Sequence, residues 1–155
     1  GAVKVMASVR ETILLNLETA LDAIRNSLDY ETQIKEVSRY DENVLLTTNF
    51  QTPLIMIIDV GDDERRAWDS THYRFRMTVA IRGFVKVATE AQVQPELNKV
   101  VSTIRKFIDA GVSLGANVLE FQMRNNEQHR YDQDKGLADC VINTRITYEC
   151  ANGVF

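Results

Sequence analysis

His72 and His129 are the only imidazoles in 155 residues, and Cys140 and Cys150 are the only thiols. A cysteine nucleophile, a histidine base or a zinc cluster must therefore come from these four positions. Their spacing builds none of these. The two cysteines lie ten residues apart in what reads as one extended strand, a separation of ~33 Å. A disulfide needs Cα atoms within ~7 Å, so the thiols are expected to be free, as suits a reducing compartment. His72 opens a strand and His129 falls in a polar stretch, and a structural or solvent-facing role is expected for each. There is no Gly-rich phosphate cradle and no ligand-spaced His/Cys pattern, so no catalytic, cofactor-binding or metal-ligating residue is assigned.

Charge gives the next candidates. Asp59, Asp62, Asp63 and Glu64 are dense enough to interest a hard cation, but they lack the spacing of a calcium loop and read as a solvated turn. Arg74, Arg76, Arg82 and Lys86 recur at even positions, so a strand would carry them on one side as a basic row. That row could meet nucleic acid. The favoured reading is that it pairs across strands with Glu36, Glu120, Asp139 or Glu149. No interleaved aromatic platform for single-stranded nucleic acid accompanies it. Trp68, the only tryptophan, sits in a charged stretch, where a large ring either anchors a partner or folds back on its own sheet.

These side chains must be positioned by a chain with 45% hydrophobic and 26% charged residues and a net charge of −4. That is the composition of a folded domain, and its acidic balance disfavours a general nucleic-acid or anionic-membrane binder. The longest apolar run, Leu54 to Ile58, falls far short of the ~20 residues of a spanning helix. No apolar leader with a small-residue cleavage site opens the chain, so synthesis in the cytoplasm is expected. One domain over residues 1–155 is expected, with residues 1–7 flexible or left over from expression.

Ser8-Val9-Arg10-Glu11 fits a capping box, and Ile13, Leu17, Leu21, Ile24 and Leu28 continue a helical stripe, predicting a helix over Val9 to Leu28. Ile34 to Tyr40 reads as a strand and Asp41 to Gln51 as a loop. Pro53 suits the first residue of the covered strand Leu54 to Ile58. Gly61 to Thr71 is charged and without period, so a solvated loop is expected there. Tyr73, Phe75, Met77, Val79 and Ile81 then alternate with polar residues as a strand, Gly83 marks a bend or bulge, and Val85 and Val87 continue it. A second helix spans Leu97 to Ile108, with Pro95 in its first turn and Gly111 at its end. Strands follow near Asn117 to Met123 and Ala138 to Cys150, separated by a polar loop from Arg124 to Gly136. The expected fold class is α+β, a mostly antiparallel sheet of four to five strands with two helices packed on one face.

The pattern Leu17-Glu18-Thr19-Ala20-Leu21-Asp22-Ala23-Ile24 is similar to the first helix of the tail terminator, or tail completion, proteins of long-tailed bacteriophages. So are the strand introduced by Thr52-Pro53, the acidic stretch Gly61-Asp62-Asp63-Glu64, the strand through Ile81-Arg82-Gly83-Phe84-Val85, the second helix and the closing strand. The resemblance implies a ring of identical subunits, a hexamer, that caps the finished tail tube, stops its polymerisation and offers a surface for head joining. Its partners would be other copies of the chain, the tail tube protein and a head completion or neck protein, with DNA only as cargo passing through the lumen and no membrane. It would be found in the host cytoplasm during assembly, then at the head-proximal end of the virion tail. No cofactor and no catalysis are implied. The expected protein-interface residues are Asp62, Asp63, Glu64, Arg65, Arg66, Trp68, Arg74, Arg76, Arg130, Tyr131, Asp132 and Lys135. Two readings of other classes stand beside it: a small α+β ligand-binding domain or enzyme, and a nucleic-acid-binding module using the Arg74/Arg76/Arg82 face.

Overall fold

Ser8 closes the first turn of a helix, its Oγ accepting from the Glu11 N–H at 3.0 Å, as a capping serine does. In the computed structural model, which describes residues 8–47 and 49–155 and, at 62–64 and 125, the backbone alone, this helix is α1, Val9–Ala23. The expected residues 1–7 segment lies outside the described residues. Ile13, Leu14, Leu17 and Leu21 form its buried stripe. The helix stops short of the expected Leu28. Asn26 takes φ 61°, a left-handed conformation that asparagine tolerates, and its N–H donates to Ile34 O. Leu28, beyond that break, is 84% exposed.

The sheet has five strands in the order β1-β2-β3-β5-β4. They are β1 Glu36–Arg39, β2 Leu54–Ala67, β3 His72–Lys86, β4 Val118–Asp132 and β5 Leu137–Ala151. All pairings are antiparallel except β1 with β2, so the class is α+β with a mostly antiparallel sheet. Between β1 and β2 lies a short helix, α2 (Glu42–Thr47), where the sequence reading expected a loop. Helix α3, Val93–Asp109, carries Pro95 in its first turn and is followed by Gly111 at φ +72°. It buries Leu97, Val100, Val101, Ile104, Phe107 and Ile108. Each such side chain contributes about 1.5–3 kcal/mol through lost apolar exposure.

Period-two alternation sorts the core into two layers. Ile55 and Ile57 of β2, Met77, Val79 and Ile81 of β3, and Cys140, Ile142 and Ile146 of β5 join one large cluster with the stripes of α1 and α3. Leu54, Met56, Phe84 and Leu137 point the other way and form a smaller cluster with Phe50, against which Val44 and Leu45 of α2 pack. The helices are therefore not confined to the two expected, and the third covers part of the opposite face. Leu54 to Ile57 is covered on both sides for this reason.

Three further expectations are corrected. Gly61 to Ala67 is no loop but the outer half of β2, paired with Tyr73 to Thr78 and kinked by register shifts at Asp59/Gly61 and Asp62/Glu64. Gly61 at φ +125° sits at the first shift, and such bulges destroy the alternation by which a strand is recognised. Arg124 to Asp132 likewise belongs to β4, with a shift between Met123 and Glu127, which places His129 on a strand. Gly83 is not at a bend, because pairing runs unbroken through it to Ile55 and Cys140. A Cβ there would lie 2.3 Å from Val100 Cγ1, so glycine is what lets α3 approach β3.

Candidate functional site

Strand β3 spans 15 residues, about 45 Å at ~3.3 Å per residue, well beyond the usual strand length. The β2–β3 turn lies at its His72 end, where His72 faces Ala151, and the β4–β5 turn lies at its Lys86 end, where Lys86 faces Leu137. The expected interface residues are thus divided between two ends of one sheet and do not form a single patch.

At the first end the backbones of residues 62–64 belong to β2. Arg65 lies opposite Phe75, with its guanidinium 4.5 Å from the Tyr73 ring centroid and 5.5 Å from that of Phe155. It is bedded on aromatic rings. Arg66 is exposed, opposite Arg74. Trp68 is 51% exposed. The Arg74 guanidinium covers its ring at 3.5 Å and also reaches Glu149 at 3.5 Å. The ring leans on Arg74 of the neighbouring strand, and half of it faces solvent.

At the other end Arg130 lies opposite Asp139 and its Nη2 donates to Gln128 Oε1 at 3.2 Å. Tyr131 packs against the large core. Asp132 Oδ1 accepts from the Lys135 N–H at 3.3 Å, closing the turn. His129 stands between Gln94 Oε1 at 3.1 Å and Glu127 Oε2 at 2.7 Å. Glu127 also meets Arg105 of α3, so the imidazole ties β4 to that helix.

The basic row does lie on one side of β3, but two of its members are engaged in cross-strand pairing. Arg82 donates from Nε and Nη2 to Asp139 Oδ2 at 3.3 and 2.9 Å, both residues being largely buried. Arg74 has Glu149. Lys86 Nζ donates to Phe50 O at 2.6 Å. Arg76 is exposed opposite Thr147.

A cavity of about 270 Å³ opens where α1 meets the distal sheet, lined by Arg10, Phe75, Tyr148, Cys150 and Phe155. Arg10 forms an ion pair with Asp59, and Ser8 and Arg65 complete the lining beside the three rings, which holds no imidazole or carboxylate side chain to act as a base. Burial pushes the Cys140 thiol up to about 12, the state of an inert core thiol. Asp69, His72 and Glu149 form a group that the sequence reading missed, with one potential ligand atom from each within 4.8 Å of the others. Asp69 comes from the β2–β3 turn, His72 from the start of β3 and Glu149 from β5, so no local spacing signals the group. No described helix is long and apolar enough to cross a membrane.

No protein-family model and no curated protein matches the chain. Among solved structures, a chain of "Virion of native gene transfer agent (GTA) particle" is similar at 10% identity and a TM-score of 0.49, covering 92% of this chain and 96% of that one.

Proposed function

We propose that this chain is a virion assembly protein of the tail-terminator kind, which closes into a ring on the finished tail tube, stops its growth and presents a second surface for head joining. The observation that supports the proposal is the placement of two hairpin turns at opposite ends of a sheet about 45 Å long, two separate ends that a tube and a head-side partner would meet. A capping ring would use one end toward the tube and the other toward the head, and it needs no catalysis. The Leu17 to Ile24 pattern and its companions supply the specific resemblance. Half-exposed Trp68 supplies an anchor of the residue type that dominates interface energetics. A head-to-tail ring that closes, with six subunits as the expected number, would bury the remaining surface between copies.

The nucleic-acid reading is less well supported. Arg82 and Arg74 are paired with Asp139 and Glu149, and phosphate binding would have to displace these carboxylates from a chain of net charge −4. The proposal is tested by imaging particles assembled without this chain. Overlong tails, or tails without heads, are the expected result, and tails of normal length joined to heads would refute it.

A further inference from the structure

We propose that Asp69, His72 and Glu149 form a zinc-type divalent metal site at the β2–β3 end of the sheet, whether or not the subunit forms a ring. The three residues offer one imidazole and two carboxylates, the ligand types of a borderline cation such as Zn²⁺. Their ligand atoms lie within 4.8 Å of one another, against about 3.4 Å between donors in a tetrahedral zinc site. All three side chains reach solvent, and binding must draw the donors together by rotation of the side chains, Glu149 leaving Arg74.

The surroundings hold two of the ligands in place. Asp69 Oδ1 accepts from the N–H groups of Thr71 and His72, both at 2.7 Å, and from Thr71 Oγ1 at 2.9 Å. These bonds, led by the Thr71 N–H, hold the carboxyl below its usual range and so ionised. Thr71 Oγ1 at 2.7 Å and Asp69 Oδ1 at 3.4 Å both lie near His72 Nδ1, so the ring already faces Asp69. A hollow of about 280 Å³ beside His72 and Glu149, bounded by Asn117 and Leu119, leaves room for water or a further ligand to complete the coordination.

Arg74 is the competitor, since its guanidinium lies 3.5 Å from Glu149 and 3.5 Å from the Trp68 ring centroid. An ion that draws Glu149 away must therefore disturb the contact on the chain's only tryptophan, which makes Trp68 fluorescence a direct reporter. The experiment uses untagged, chelator-treated protein titrated with ZnCl₂, followed by calorimetry and by Trp68 emission, with MgCl₂ as the comparison salt. One Zn²⁺ per chain is expected, with a saturable change in emission and little response to Mg²⁺. His72→Ala and Glu149→Gln should each weaken binding by about tenfold or more, while Asp109→Asn, on α3, leaves it unchanged. No saturable binding, equal binding of Mg²⁺, or full affinity in folded His72→Ala protein would overturn the assignment.

Discussion

Gly83→Ala adds one methyl group where the structure leaves no room for it. The new Cβ would lie 2.3 Å from Val100 Cγ1 and 3.3 Å from Cys140 Sγ, whereas carbon atoms rest ~3.5–4.0 Å apart. Val100 is 1% exposed in the middle of α3, so the helix must shift or the strand must bend. Overpacking of this kind costs about 1–3 kcal/mol. The change also restricts the unfolded chain, which returns about 0.4–1 kcal/mol. A net loss of about 1–2 kcal/mol follows, equivalent to roughly 2–8 °C in Tm for a domain of this size. Urea unfolding should show a lower midpoint at unchanged slope. The cause is separable: in Gly83→Ala/Val100→Ala the clashing methyl is gone, so the double mutant should be more stable than the sum of the single losses by about 1 kcal/mol. Neutral or stabilising behaviour of Gly83→Ala, or strict additivity in the cycle, would refute the close approach of α3 to β3.

Trp68→Ala should cost the isolated subunit no more than about 1 kcal/mol, the worth of an exposed cation–π contact, yet weaken assembly by about 2 kcal/mol or more; unfolding midpoints and tube binding measure the two effects. Thiol counting of denatured, non-reduced protein should find two free thiols per chain, because both cysteines are free and buried on β5. The Cys140 thiol, with its folded value raised from 9.0 to about 12 chiefly by burial, contributes stability that is fully present below pH ~9 and lost as pH rises toward ~12. Cys140→Ala should accordingly lose less stability than the parent between pH 8 and pH 10.5, measured by urea unfolding at each pH.

The parts of the fold that bury one face could be read from the chain. Tyr73 to Ile81 alternates because β3 is covered by helices on one side, and Leu97 to Ile108 keeps its stripe because α3 lies on that cover. The outer half of β2 and most of β4 could not. Residues 65–67 are exposed, so nothing compels alternation there, and their strand conformation comes from the ladder with β3. Register shifts in β2 and β4 break the period further. Gly83 was misread because a glycine inside a strand signals either a bulge or a close approach, and only the position of Val100 decides between them. The expected interface residues fall in two stretches of the sequence, and topology sends Arg65 to Arg76 to one end and Arg130 to Lys135 to the other. Glu149 joins Asp69 and His72 only through the pairing of β3 with β5, which no local spacing reveals.

The central claim, a ring that caps a tube, is tested most directly by native mass spectrometry of the untagged protein together with electron microscopy of purified tail tubes incubated with it. The account predicts a closed ring of identical subunits, six being the expected number, either free in solution or as one added layer at a single end of each tube, with tube growth halted there. Monomers in solution together with bare tubes that continue to elongate would contradict it.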